Sequence, residues 1–247
     1  MKISVIMQSY LSDYPGSRSN PEKKFLRAVE SFLNQTNTNT ELIIVSDGCK
    51  ISEKIYLENW VNNERVLFIY VQKDSPTMYS EELGKKFYRG TPRQIGRGIA
   101  TGEVTTYMDS DDFLIPEYLG ILLKYWESNK HLDWLMNQGW YDNIEMCKNP
   151  IEGYYMLFND QVIEEAVSII GLESKWMASK LREKNIIMSP ALTSHRSSCK
   201  TEWKDISDGN SEDKDFNKRL REDYYNTGGL FYYPGYVRCH LRDKWDW

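Results

Sequence analysis

Apolar residues arrive in this chain as short runs separated by amphipathic stretches. Ile3 to Ser9 is a nearly unbroken apolar run, the mark of a strand covered on both faces. Asn20-Pro21 then predicts an N-cap followed by proline at the first helical position. Phe25, Val29, Phe32 and Leu33 fall on one helical face behind it. Leu42 to Val45 predicts a second buried strand, closed by the turn residues Asp47-Gly48, and Ser52 is placed to cap a helix carrying Ile55, Tyr56 and Trp60. Val66 to Val71 predicts a third strand, Thr91-Pro92 opens a short helix, Val104 to Met108 is a fourth strand, and Pro116 starts a helix reaching about Asn129. Strands alternating with helices imply βαβ units and an α/β protein built on a mainly parallel sheet. Beyond this point the order becomes α+β. Strands are expected at Trp134 to Tyr141, Tyr154 to Phe158 and Tyr236 to His240, and helices at Val162 to Ile170 and Lys175 to Glu183. Two connections, Tyr10 to Asn20 and Gln72 to Gly90, are long and polar, as functional loops often are.

Charge narrows the choice of function. The chain has 247 residues, with 31 Lys+Arg against 36 Asp+Glu, a net charge of −5. Mild acidity supplies no field for gripping a phosphate backbone, so nucleic acid is not an expected partner. Mean hydropathy is −0.61 and no 18-residue apolar run occurs, so no spanning helix is expected. The first apolar stretch is too short for a secretory signal, and the four cysteines include no Cys-x-x-Cys pair. A cytoplasmic protein with reduced thiols is the expectation. An apolar content of 40% with 13% aromatics supports a packed core.

The sharpest chemical signal is Asp109-Ser110-Asp111-Asp112, which places three carboxylates at the carboxyl end of the fourth predicted strand. Ligands bind at that end of open α/β sheets. Like charges so close repel unless a cation lies among them, and a hard divalent ion, Mn²⁺ or Mg²⁺, would relieve them and could bridge to a diphosphate. An Asp-rich turn accounts for the same residues without any ligand.

Four segments together resemble a known family. Ile3 to Tyr10, Val45-Ser46-Asp47-Gly48, Arg93-Gln94-Ile95-Gly96 leading to Ala100-Thr101-Gly102-Glu103, and Asp109-Ser110-Asp111-Asp112 stand in the order and spacing of glycosyltransferase family 2. These are inverting nucleotide-sugar transferases with the GT-A fold, and the resemblance covers roughly Ile3 to Tyr118. It implies that Ser9 and Tyr10 lie beside the nucleotide base, and that Asp47 accepts a hydrogen bond from uracil. By the same resemblance Arg93 faces the diphosphate, Asp109 contacts ribose, sugar or metal, and Asp111 ligates the metal. The chain departs from the family pattern where Gln8 and Leu11 replace Pro and Asn, Ser46 replaces the first Asp of Asp-Asp-Gly, and Gln94 replaces Asn.

An inverting transfer needs a base to remove the acceptor proton. Ser211 reads as an N-cap that puts Glu212 and Asp213 in a first helical turn, where the dipole keeps a carboxylate ionised. The resemblance makes Asp213 the base and places Glu212 on the acceptor side. It also makes His240 a metal or phosphate contact. Trp203 is a candidate platform for an acceptor sugar, because a ring face suits a sugar's C–H face.

The reading is a single GT-A-like domain over residues 1–247, with a nucleotide-sugar-binding half (1–115) and an acceptor-shaping half (116–247). Its expected reaction is metal-dependent transfer of a sugar from a nucleotide diphosphate sugar, with UDP the expected carrier, to a hydroxyl of a glycan or lipid-linked glycan. A lipid-linked acceptor would bring the chain to a membrane surface. Two rivals stay open: a non-catalytic nucleotide- or glycan-binding subunit of the same fold, and a nucleotidyltransferase.

Overall fold

In the computed structural model, the described residues are 1–12, 19–72, 79–80, 85–86, 90–137, 140–141, 193–206, 212–231 and 236–237. The first apolar run forms β1 (Ile3–Ser9), and β2 (Thr40–Asp47), β3 (Val66–Val71) and β6 (Val104–Asp109) follow the predicted pattern. Between β3 and β6 lies a small antiparallel pair, β4 (Tyr79–Ser80) with β5 (Lys85–Lys86). The second half adds β8 (Trp134–Asn137), β10 (Thr193–Arg196) and β11 (Gly228–Phe231) to the same sheet.

That seven-stranded sheet has the order β11-β8-β10-β6-β1-β2-β3. The pairs β1–β2, β2–β3, β1–β6 and β8–β11 are parallel, while β10 runs antiparallel to both β6 and β8. Strands from both halves of the sequence therefore build one sheet. A second sheet joins β7 (Phe113–Leu114), β12 (Tyr236–Val237) and β9 (Trp140–Tyr141). The run from Trp134 to Tyr141 is thus two strands in two sheets, where one was expected.

Helices cover both faces. On one lie α1 (Pro21–Leu33), α2 (Lys50–Asn59) and α4 (Tyr118–Ser128). Burial of Phe25, Ala28, Val29 and Phe32 seats α1, with Phe25 edge-on to Trp60 at 5.7 Å. Gln35, just past α1, accepts the Leu119 N–H at 2.9 Å and so holds the start of α4. Trp126 of α4 donates its indole N–H to Ser194 of β10 at 3.1 Å. The other face carries α3 (Thr91–Ile99), α5 (Glu212–Asp223) and residues 199–206.

Gly96 sets the depth of α3. A Cβ there would stand 2.7 Å from Ile6 Cγ2 and 3.1 Å from Val45 Cγ2, so only glycine lets this helix settle onto β1 and β2. That contact also identifies the α3 face of the sheet, because Ile6 and Val45 point toward it.

Asn20 is the N-cap of α1 with Pro21 behind it, as predicted, but with φ 52° and ψ 47° it turns the chain through the left-handed region and makes no side-chain cap bond. The other predicted cap is corrected. Ser52 lies inside α2, whose N-cap is Cys49. Its hydroxyl donates to Ser46 Oγ at 3.1 Å and stands 3.0 Å from the Cys49 carbonyl. The expected elements at Tyr154 to Phe158, Val162 to Ile170 and Lys175 to Glu183 lie outside the described residues.

Candidate active site

The chain runs β1, β2, β3 outward in one direction and returns on the other side of β1 as β6. A crevice therefore opens at the carboxyl ends of β1 and β6, the position where open α/β sheets bind ligands. Asp47 and Asp109 end the strands on either side of β1. Strand alternation places both on the α3 face, since Val45 and Tyr107 already point there.

The acidic turn is held from three directions. The Asp112 N–H donates to the Asp109 carbonyl at 3.2 Å, closing the turn. Arg27 of α1 donates to the Asp111 carbonyl at 2.9 Å, with its guanidinium 5.0 Å from the Phe113 ring centre. Tyr236 accepts the Asp109 N–H at 3.1 Å and donates its hydroxyl to Asp112 Oδ2 at 2.9 Å. Burial, with the Asp112 carboxylate beside it, drives the Tyr236 hydroxyl well above its usual range, so it remains a donor. Asp112 is only 2% exposed. It belongs to the scaffold of the turn, whose other two carboxylates are those of Asp109 and Asp111.

The Glu-Asp pair occupies the first turn of α5, as its sequence context predicts. Ser211, its expected cap, lies outside the described residues, and so does His240. Arg93 joins this helix to the acidic turn. Its Nη1 stands 2.5 Å from Glu212 Oε1 and its Nη2 3.2 Å from Asp109 Oδ1. Burial opposes the Arg93 charge, but the Glu212 and Asp109 carboxylates outweigh it and push the guanidinium up. Burial also pushes the Glu212 carboxyl up, with the Asp213 charge adding and Arg93 opposing. The resemblance places Arg93 against a diphosphate; here both terminal nitrogens already meet carboxylates.

Trp203 lies beneath this bridge. It is 3% exposed, stacked on Phe216 at 3.9 Å with an interplanar angle of 8°, and its ring centre is 5.1 Å from the Arg93 guanidinium. A ring covered in this way supports Arg93 and presents no face to an acceptor sugar, which corrects the platform expectation. Residues 199–206 are pinned to α3 throughout. Asp205 accepts both the Thr91 N–H and hydroxyl at 2.9 Å, Gln94 accepts the Trp203 N–H at 2.9 Å, and Arg97 donates to the Thr201 and Cys199 carbonyls. Gln94, a departure from the family pattern, thus has a structural partner. Ser46, another departure, accepts the Cys49 N–H at 3.1 Å and starts α2. Gly48 then takes φ 69°, and Tyr70 donates to its carbonyl at 3.2 Å.

Ser9 pairs in register with Ser46 and shares its face, which is turned toward α2 and away from Asp109. The structure therefore does not bring the Ser9 side chain together with Asp47, Arg93 and Asp109. Tyr10 is half-buried just beyond the end of β1. Residues that sequence reasoning missed are Tyr236 and Arg27. Neither lies in a motif, and only pairing of β12 with β7 brings Tyr236 to the turn.

A polar chain runs inward from Trp203. Its indole N–H donates to Tyr107 at 2.8 Å, and the Tyr107 hydroxyl stands 2.8 Å from His195 Nε2. His195 Nδ1 lies 2.9 Å from the Arg196 carbonyl. This order makes Nδ1 the donor and Nε2 the acceptor, a neutral imidazole. Burial, reinforced by the Arg97 charge, lowers its pKa to about 3. Between that value and about 6.5 the unfolded chain binds the proton and the folded one does not, so stability rises with pH across this window and is lost as pH falls. The limiting slope is about 1.4 kcal/mol per pH unit. Urea unfolding from pH 4 to 7 should show a flatter profile for His195→Gln than for the unsubstituted chain. Identical slopes would exclude this role for His195.

The resemblance assigns Asp109 and Asp111 to a divalent cation, and both stand in the turn that ends β6. Among the described residues, no three His, Cys, Asp or Glu side chains form a cage. Two carboxylates suit a Mg²⁺-type ion shared with substrate phosphates, which needs few protein ligands. Asp109 and Asp111 fit that mode.

Comparison with known proteins agrees with the fold and with the family resemblance. The model of glycosyl transferase family 2 matches residues 4–143, more than half of the chain, and the protein belongs to this family. It is 31% identical over 137 residues to an uncharacterized glycosyltransferase of Methanocaldococcus jannaschii, covering 55% of this chain and 40% of that protein. A second uncharacterized glycosyltransferase, from Nostoc sp., is 27% identical over 129 residues, covering 52% and 34%. The matched region thus spans less than half the length of these relatives. Among solved structures, S. aureus TarS 1–349 superposes with a TM-score of 0.60 at 16% identity, covering 97% of this chain and 60% of TarS 1–349. Its complex with UDP gives a TM-score of 0.62 at 18% identity, with the same coverage. The GT-A fold is shared. Among the described residues, no helix is long and apolar enough to cross a membrane.

Proposed function

We propose that this protein is an inverting glycosyltransferase that moves a sugar from a UDP-linked donor to a hydroxyl of a glycan or lipid-linked glycan. One observation carries the reading. Arg93 ties the acidic turn to the first turn of α5, so a diphosphate-side carboxylate and a candidate base converge on the same crevice. Family membership supports transferase chemistry, and the UDP and UDP-GlcNAc complexes of the structural neighbour support the choice of donor.

In this reading Asp47 accepts the uracil N3–H. The acceptor oxygen attacks the anomeric carbon as the bond to the diphosphate breaks on the opposite side. Asp213 takes the acceptor proton, and nucleoside diphosphate leaves. A Mg²⁺ or Mn²⁺ ion held by Asp111 and Asp109 would neutralise the departing diphosphate. Arg93 positions Asp109 and Glu212, and Trp203 and Phe216 support it from below.

Calorimetric titration of UDP with and without Mn²⁺ tests the donor side. UDP binding should strengthen with Mn²⁺, and Asp111→Ala should reduce the metal-dependent part by at least ~10-fold, since even indirect perturbation of a metal site costs that much. Unchanged metal-dependent binding in the variant would remove Asp111 from the ligand set. If the unsubstituted protein binds no nucleotide, the donor reading itself fails.

A further inference from the structure

Gln8 occupies a position that no mechanism above uses. On β1 it lies directly between Val45 of β2 and Asp109 of β6 in the register of the sheet. It shares a face with Ile6, which meets α3 at Gly96, so its side chain lies on the same face as Asp47, Asp109 and Arg93. Its side-chain oxygen, Oε1, is buried and has no hydrogen-bond partner among the described residues. Buried amide oxygens are rarely left unmatched, because an unmade hydrogen bond keeps the full cost of desolvation. An acceptor held in this way at the carboxyl end of the central strand is suited to a donor group supplied by a ligand.

We propose that Gln8 is a nucleotide-binding residue whose side-chain carbonyl accepts a hydrogen bond from a ribose hydroxyl. The inference rests on the donor reading above and adds a contact to it. Asp47 marks the base end of the crevice, and Asp109 with Asp111 marks the diphosphate end. Ribose joins base to diphosphate, and Gln8 lies between those ends in the sheet. The neighbouring buried hydroxyl of Ser9 is unpartnered too, but it lies on the opposite face with Ser46 and is not part of this contact.

Gln8→Met tests the proposal, because it keeps a similar side-chain length and removes the acceptor. Binding of UDP, 2′-deoxy-UDP and 3′-deoxy-UDP is measured by calorimetry in saturating Mg²⁺, alongside thermal unfolding of the free protein. The unsubstituted protein should prefer UDP over one deoxy analogue by about 3- to 10-fold, the worth of one hydrogen bond. Gln8→Met should bind UDP more weakly by that factor and bind the same deoxy analogue as before. The free variant should unfold about 2–4 °C higher, because an unsatisfied buried polar atom has been removed. A purely structural Gln8 would instead give a lower midpoint and no selective loss for ribose. Unchanged UDP affinity, or an equal loss for all three ligands, would overturn the proposal while leaving the donor reading intact. Should the variant fail to fold, equal affinity of the unsubstituted protein for all three ligands overturns it as well. If UDP does not bind, the same ribose comparison is made with whichever of GDP, ADP or CDP does. Failure of all four overturns the donor reading, and the Gln8 contact with it.

Discussion

Replacing Asp213 by Asn should leave UDP binding intact and slow sugar transfer by about 10²- to 10⁴-fold, the usual contribution of a positioned base. The substitution keeps shape and hydrogen-bonding reach but leaves an amide that cannot take the acceptor proton. Two features favour Asp213 over its neighbour. Glu212 is 12% exposed and stands 2.5 Å from Arg93, so accepting a proton would break a buried ion pair. Asp213 lies in the same first helical turn, half-buried, accepting the Lys214 N–H at 2.7 Å. Calorimetry with UDP and a radiolabelled-sugar transfer assay check the two halves of the prediction. Full turnover in Asp213→Asn would exclude it as the base, and a parallel loss of UDP binding would assign it to the donor pocket.

The second large effect is expected at Arg93. Arg93→Met should destabilise the fold by about 3–5 kcal/mol, because it strands a buried Glu212 without its counter-charge. Asp109 contributes less to this penalty, since its side chain is 35% exposed and water can replace the guanidinium. Urea unfolding measures the loss, and a cycle with Glu212→Leu separates its origins. The double variant should recover most of the stability, because both charges of the buried pair are gone. It should remain inactive, because the ion-pair link between α5 and the acidic turn is lost with both charges. A loss below about 1 kcal/mol in the single variant would mean that the bridge behaves as a solvated surface pair.

Much of the fold was legible because buried parallel strands appear as uninterrupted apolar runs. The predicted limits of β1 and β3 coincide with those observed. The acidic turn and the Glu-Asp turn were also visible, each announced by where its carboxylates stand relative to an element. What could not be read was the direction in which side chains point across elements. Ser9 and Gln8 are adjacent, and motif order singled out Ser9. Only the register with Ser46 and Asp109 shows that Gln8 lies on the crevice face. Trp203 is a platform candidate on ring chemistry alone, but Arg93, lying 110 residues earlier in sequence, covers it. The Arg93–Glu212 pair spans a separation of 119 residues, which no local pattern encodes. The Ser52 cap failed for a similar reason: serine has the right chemistry for a cap, but Ser46 already holds the start of α2.

Met136 and Thr193 are direct neighbours in the sheet, where β8 pairs with β10. The chain between them therefore departs from and returns to nearly the same spot, beside a bridge built entirely from other segments. The register of these strands is set by the residues within them, and closing a connection costs only about 0.6 kcal/mol more for each doubling of its length. Relatives with longer or shorter connections here can therefore keep the same pairing of β8 with β10.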